Sequence, residues 1–392
     1  MKMRSATRLR LVVVAAVGVA IASLVGCSVD SAVASSTVRS QRKRSGGSTW
    51  SAPVSTSNLS ATVATAAAGG SIYWGAYAAG SQYGFYDGPW DMRSAGTFES
   101  HAGKGMSLLE WGQDWYECST TCGLRPFRAD LMSAARSRGY IPVLSWGSYA
   151  EKAGVNQRAY SLKAILSGEY DRFIRKWALG AKNWGHPFLL RFDWEMNTHS
   201  VPYSQASNGN QPGQFTAMWR HVHDIFEQVG ATNATWVWCP NVEYPGSLPL
   251  TTLYPGDGYV DWTCLDGYNW GTNPNRPGST WQSFTTVFGT SYDQVSQLAP
   301  TKPMLIGETA ASEYGGSKAA WISDALGPNL LTRFPAVKGL VWFNKDADNM
   351  DWIIETSASA RAAFASAIAA PVFAGSRFAG LATGKVLPLG GP

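Results

Sequence analysis

Two glutamates stand out for where they fall. Glu195 closes the run Leu189-Leu190-Arg191-Phe192-Asp193-Trp194-Glu195, and Glu308 closes Pro303-Met304-Leu305-Ile306-Gly307-Glu308. Each is a short apolar run that ends abruptly in a carboxylate. Such runs suit parallel strands buried on both faces, and a carboxylate at the carboxyl end of one lies where (β/α)₈ barrels place their chemistry. Two carboxyls on strands far apart in sequence, brought to one end of a barrel, would suit attack at a sugar's anomeric carbon together with proton transfer to the departing oxygen. A helix cap or a solvated loop residue would explain either glutamate singly, but it explains the pair poorly.

The elements that must position them follow an alternating pattern from about Gly70 to Ala370. Strand-like runs occur at Ser71–Tyr77, Met106–Trp111, Ile141–Trp146, Phe188–Glu195, Thr235–Cys239, Val260–Tyr268, Pro303–Glu308 and Gly339–Phe343. Helix-like stretches lie between them at Ala129–Arg138, Tyr170–Trp184, Gln214–Val229 and Ser317–Leu331. In Gln214–Val229 the apolar residues Phe215, Met218, Trp219, Val222, Ile225 and Phe226 keep helical spacing. The pattern predicts an α/β fold, a single (β/α)₈ barrel over 70–370. A doubly wound open sheet is disfavoured because no glycine-rich dinucleotide fingerprint follows the first strand.

The 18 tryptophans are far more than a chain of 392 residues usually carries. Many must be core. Trp74, Trp146, Trp270 and Trp342 lie at or near predicted strand ends, where flat aromatic faces could stack on sugar rings. Of the five cysteines, Cys118 and Cys122 are expected to close a small loop as a disulfide in an oxidising compartment, since no nearby Cys or His completes a metal set. Cys239 and Cys264 lie in predicted strands and either pair across them or pack as buried thiols. His221 and His223 are two residues apart on a helix and point to different faces, which argues against a metal site. No metal or organic cofactor is called for.

Lys2, Arg4, Arg8 and Arg10 precede an uncharged apolar run from Leu11 to Val25, which predicts an export signal rather than a permanent membrane span. The run ends in Leu24-Val25-Gly26-Cys27, which resembles a bacterial lipobox and makes Cys27 the expected lipidated first residue of an exported membrane lipoprotein; an ordinary secretory signal with an incidental cysteine would give a secreted protein instead. Residues 28–69 are rich in Ser, Ala, Thr and Val and read as a flexible tether. Residues 371–392, rich in Gly, Ala and Pro, read as a loosely ordered tail. Residues 1–50 hold eight of the 32 basic residues and one of the 27 acidic ones, leaving 24 against 26 in the remainder. The basic pI therefore belongs to the targeting end and gives no ground for a nucleic-acid partner.

Taken together, Arg191-x-x-x-Glu195-Met196-Asn197, Trp236-Val237-Trp238-Cys239-Pro240-Asn241, Tyr259 through Gly271, Lys302-Pro303-x-x-Ile306-Gly307-Glu308-Thr309 and Val341-Trp342-Phe343-Asn344…Asp351-Trp352 resemble glycoside hydrolase family 26. The likeness covers roughly residues 70–370. It implies Glu195 as general acid/base, Glu308 as nucleophile, Tyr268 as a hydroxyl contacting the nucleophile, Arg191 as the cation that keeps it ionised, and Trp342 as an aromatic platform under the sugar. It further implies that Asn197 lies in the substrate region, with Asp193 as either a polar contact there or a structural ion pair. The family typically has His before the acid/base glutamate, where this chain has Trp194, a replacement expected to alter sugar specificity. The implied protein is a monomeric, retaining endo-β-glycanase on a polysaccharide, β-1,4-mannan first, with mixed-linkage β-glucan or xylan as alternatives. The rival from another class is a non-catalytic carbohydrate-binding lipoprotein.

Overall fold

The computed structural model describes residues 71–118, 121–347, 349–375 and 380–390. The expected signal segment, Cys27 and the tether lie outside the described residues. Eight strands form the barrel: β1 (Tyr73–Ala78), β2 (Leu108–Cys118), β3 (Ile141–Ala150), β4 (Phe188–Phe192), β5 (Ala234–Trp238), β6 (Trp262–Asn269), β7 (Met304–Ala311) and β8 (Val337–Asn344). All pair in parallel in chain order. β1 closes the ring by pairing with both β2 (Gly75 with Leu108) and β8 (Tyr73 with Gly339). The architecture is the predicted (β/α)₈ barrel.

The helical sheath includes α1 (Met92–Ala102), α2 (Ala129–Ser137), α3 (Leu162–Leu166), α4 (Asp171–Trp184), α5 (Gln214–Val229), α6 (Phe284–Leu298), α7 (Lys318–Ala325), α8 (Pro328–Arg333) and α9 (Ala358–Ile368). Several start where a side chain caps the first turn: Asp91 accepts from Arg93 N, Ser283 from Thr286 N and Ser357 from Ala360 N. The stretch predicted as one helix over 317–331 is two, because Gly327-Pro328 interrupts it. Between β5 and β6 the described chain makes 3₁₀ turns at Leu250–Thr252 and Asp257–Tyr259 in place of an α-helix. Pro245-Gly246, Pro249 and Pro255-Gly256 punctuate that segment too often for a helix to propagate.

Apolar side chains fill two layers. Inside the barrel lie Tyr73, Leu108, Val143, Leu189, Val237, Trp262, Leu305 and Val341. Between strands and helices lies a larger, aromatic-rich layer in which Trp146 stacks on Trp177 with centroids 4.3 Å apart. Alternate residues of one strand feed alternate layers, the period-2 rule of a strand.

The far end of the chain departs from the expected loose tail. Val386 enters the interior layer, its N–H donates to Thr235 Oγ1 at 2.8 Å and its carbonyl accepts from Trp262 Nε1 at 2.9 Å. The Leu387 carbonyl accepts from Tyr73 OH at 2.8 Å, and Lys385 pairs with Asp261 at 2.8 Å. These partners sit at or just before the first residues of their strands, so residues 385–387 plug the barrel's amino-terminal end. Leu381, Val386 and Leu389 pack there at a spacing that composition alone did not reveal. Cys118, the last residue of β2, and Cys122, the first of a short antiparallel strand, Cys122–Leu124, form a disulfide. Cys239 and Cys264, left open by the sequence, are joined as well.

Candidate active site

β4 ends at Phe192, and the chain turns at once with left-handed backbone at Asp193 (φ 44°) and Glu195 (φ 53°). Non-glycine residues adopt such angles at a cost of order 1 kcal/mol or more, so the surroundings must impose them. Here Asp193 is fully buried and accepts from both the N–H and the hydroxyl of Ser148, each at 2.7 Å. The Glu195 N–H donates to the Cys239 carbonyl at 2.7 Å. Asn197 grips the backbone of Asn241 from both sides, accepting from its N–H at 2.9 Å and donating to its carbonyl at 2.8 Å. The amide of Asn241 then donates to Glu195 Oε1 at 2.7 Å. Asp193 and Asn197 thus shape and brace the turn; neither lines the cleft.

Glu308 lies within β7, which continues to Ala311 instead of ending at the glutamate as predicted. The register against β6 slips beside it: Leu265 pairs with Ile306, but Asp266 pairs with Glu308. Gly307 is the extra residue of a bulge, the kind of irregularity that re-aims a side chain beside a site. A side chain there would collide with the Cys264 and Cys239 sulfurs and Asp266 Oδ1 at 2.5–2.8 Å. The Glu308 carboxylate receives Tyr268 OH on Oε2 at 2.5 Å and Arg191 Nη1 on Oε1 at 3.1 Å.

Arg191, wholly buried, is the hub of this half of the site. It reaches Asp266 at 2.5 Å and Ser145 Oγ at 3.0 Å, and it pairs with Glu110. Burial alone would lower its pKa, but the charges of Asp266, Glu308 and Glu195 outweigh that and raise it. Asp266 is pushed well above the usual carboxylate range by burial, against the pull of Arg191 and with added repulsion from Glu308 and Glu195. Tyr268 is driven far above its ordinary value by burial and then by Glu308, so its hydroxyl keeps its proton and donates.

Glu195 and Glu308 line one cleft of about 660 Å³ together with Asn241, Tyr268, Trp270, Phe343 and Trp352. Of the four tryptophans proposed as sugar contacts, only Trp270 lies on it, under the guanidinium of Arg276 at 3.8 Å. Trp74, Trp146 and Trp342 are fully buried in the outer apolar layer. Trp74 and Trp342 pack on Phe364, and Trp342 Nε1 donates to the Trp352 carbonyl at 3.1 Å. Their strands turn them outward, and on β8 the next residue, Phe343, takes the cleft position expected of Trp342. Trp194 does not line the cleft either. It packs against the interior layer, 5.9 Å from the Arg191 guanidinium and 6.3 Å from the Tyr203 ring.

Asn241, Phe343, Trp352, Asp266 and Glu110 were not assigned roles from the sequence. Glu110 carried the same signal as the other two glutamates, an apolar strand run ending in an acid. Among the described residues Cys239, Cys264 and Asp266 converge as possible metal ligands, but the two sulfurs are bonded to each other. His221 pairs with Asp171 at 2.7 Å, and His223 packs on Trp236 and Tyr259.

A closed barrel with two carboxyls converging on a cleft at the carboxyl ends of its strands is an arrangement that glycoside hydrolases use. Residues 133–322, from α2 to α7, match the family model described as glycosyl hydrolase family 26. Endoglucanase H of Acetivibrio thermocellus is 33% identical over 302 residues, which cover 76% of this chain and 31% of that protein. The chain thus spans about a third of the length of that relative. Among solved structures, a Cellulomonas fimi endo-beta-1,4-mannanase double mutant has the same fold, with a TM-score of 0.59 at 17% identity over 81% of this chain and 75% of that one. The family 26 domain of a Prevotella bryantii endo-beta-mannanase/endo-beta-glucanase gives a TM-score of 0.55 at 14% identity over 80% and 93%.

Proposed function

We propose that this chain is a retaining endo-β-glycanase in which Glu308 attacks the anomeric carbon and Glu195 protonates the departing oxygen. The observation that carries the reading is that the two carboxyls share one cleft and that Glu308 is faced by a buried cation and a phenol. Both oxygens of Glu308 face donors, one of them a buried guanidinium, which favours a charged nucleophile. Glu195 Oε1 is held by a neutral amide, a partner compatible with a carboxyl that must carry a proton and return it. In the first half-reaction the C–O bond to the leaving sugar breaks as the Glu308 oxygen bonds to C1 and the Glu195 proton moves to the leaving oxygen. Water then attacks C1 from the face the leaving sugar vacated, opposite the bond to Glu308, giving its proton to Glu195 and releasing Glu308. Inversion twice over leaves the configuration unchanged.

For the substrate we favour a β-glucan chain over the mannan first expected. The relative at 33% identity is an endoglucanase, whereas the mannanase structures share 14–18% and speak to fold alone. The endo character rests on the same relative. On the amino-terminal pattern we also propose export with Cys27 as the lipid-bearing residue, tested by whether Cys27→Ala moves the protein from membrane to medium in a bacterium that processes lipoproteins.

A reducing-sugar assay on β-glucan, mixed-linkage glucan, mannan, xylan and cellulose tests the activity, with NMR of the first-formed anomer. The expected result is turnover of a β-glucan with the β anomer appearing first. Appearance of the α anomer would overturn the retaining mechanism. Binding without turnover on every polymer would replace the enzyme with a carbohydrate-binding protein.

A further inference from the structure

Large aromatic rings left in water require a reason, since burying one is strongly favourable. Among the described residues four are exposed: Tyr86 at 78%, Trp90 at 47%, and Tyr244 and Tyr314 at 38% each. All four lie on loops that leave the carboxyl ends of strands, after β1, β5 and β7. The described helical sheath and the plugged end of the barrel expose none. Tyr244 belongs to the cleft already described; Tyr86 and Trp90 do not line it.

The loop that carries Tyr86 and Trp90 is tied to the nucleophile's side of the cleft. Asp87, next to Tyr86, accepts from Tyr77 OH at 3.0 Å and from Gly80 N–H at 2.9 Å, and lies 3.7 Å from Lys345 Nζ. The Tyr77 ring packs on Phe343 with centroids 5.2 Å apart, and Phe343 lines the cleft with Glu308. The Gly88 N–H donates to the Ala78 carbonyl at 3.1 Å. Gly80 lets the Tyr86 carbonyl fold back where no Cβ would fit. The ledge is therefore braced from behind. The neighbouring ring of Phe85 is covered by Arg93 at 4.2 Å, which leaves Tyr86 and Trp90 as the open faces.

We propose that Tyr86 and Trp90 form a distal sugar-binding step for a neutral β-linked chain, outside the cleft and on the side of the sugar that Glu308 attacks. The inference rests on the proposed hydrolysis and adds to it a subsite. Glu195 is held from the β5 side by Asn241 and delivers its proton to the leaving sugar, so the leaving half of the chain runs toward that side. The retained half runs past Phe343 and Tyr77, toward the β1 loop. Indole and phenol faces suit the apolar C–H faces of pyranose rings and need no charge on the ligand.

The test uses aryl β-glycosides carrying two to five sugars of the polymer the enzyme cleaves, so that every sugar lies on the retained side. Wild type should gain catalytic efficiency with length. Tyr86→Ala with Trp90→Ala should match wild type on the shortest member and lose about tenfold on the longest, each single change losing about threefold, consistent with aromatic contacts of modest strength. An identical length dependence in wild type and double variant overturns the ledge while leaving the hydrolase reading intact. If no glycoside is cleaved, the hydrolase reading fails, and affinity electrophoresis in gels containing the polymer still reads the ledge: retardation of wild type lost in the double variant supports it, equal mobility overturns it. Self-association of the wild type that the double variant abolishes, with no effect of oligosaccharide, would assign the rings to a second copy and overturn the sugar reading.

Discussion

The mounts of Glu308 and Glu195 differ in almost every respect. Glu308 stands inside a strand, aimed by a one-residue bulge and faced by a cation and a phenol. Glu195 stands on a tight turn outside the strand, with left-handed backbone held by neighbours and an uncharged amide on its side chain. The difference teaches that one barrel end can mount two identical side chains in two ways, which suits the two tasks proposed for them. In the proposed mechanism the carboxyl that must be an anion receives a buried cation and a phenol, and the one that must exchange a proton receives the Asn241 amide.

The comparison breaks most visibly at Glu308. Glu308→Ala should reduce turnover to background on every substrate, polymer or aryl glycoside, because no other group can form the bond to C1; residual activity above that of a heat-killed sample would refute the assignment. Glu195→Ala should be nearly as damaging on polymer but far milder on dinitrophenyl glycosides, whose leaving group needs no proton. Added azide should then yield a β-glycosyl azide, detected by NMR, and an α azide would contradict the geometry of attack.

Asn241→Ala sharpens the contrast, since it removes the amide from Glu195 and leaves Glu308 untouched. We expect kcat on polymer to fall by about 10²-fold, the low end for disturbing a general acid, with a smaller loss on aryl glycosides carrying good leaving groups. Equal losses on both would place Asn241 in substrate binding. The smallest effect is expected at Asp193, which braces the turn rather than the chemistry. Burial pushes this carboxyl up to about 8, partly offset by the Ser148 bonds and reinforced by Asp114. Its native pKa therefore lies above the unfolded value of roughly 3.9. The native state binds the extra proton, so its stabilising contribution is complete below about pH 4 and is lost as pH rises toward about 8. Asp193→Asn should flatten that slope, removing a pH-dependent change in unfolding free energy of at most about 5 kcal/mol across the window, read from urea unfolding at each pH. A variant whose pH slope parallels wild type would show that Asp193 does not titrate there.

Much of this was legible in the chain. The eight apolar runs fell on the eight strands, and Glu195, Glu308 and Tyr268 line one cleft with Arg191 hydrogen-bonded to Glu308. What was hidden depended on register. Whether Trp342 or Phe343 faces the cleft depends on the parity of β8 against its neighbours, which a run of apolar residues does not encode. The bulge at Gly307 moved Glu308 from the end of a strand to its interior without leaving a mark in hydropathy. Trp194 looked like the residue beside the sugar by its place next to Glu195, but the left-handed turn sends it against the barrel wall. The bracing at Asn241 required the knowledge that two loops meet.

The plug at the amino-terminal end of the barrel has an architectural consequence. β1 begins at that end, and Val386 and Leu387 finish there, so the described chain both enters and leaves near the face opposite the cleft. Both of these described points, Tyr73 and Leu387, lie behind the face that carries the cleft. A support attached on either side would hold the open face outward, and a broad, insoluble polymer could lie across it without meeting the attachment. The same geometry marks Leu387 as a site for immobilisation or fusion, whereas grafts into the loops after β1, β5 or β7 would stand on the cleft's own face.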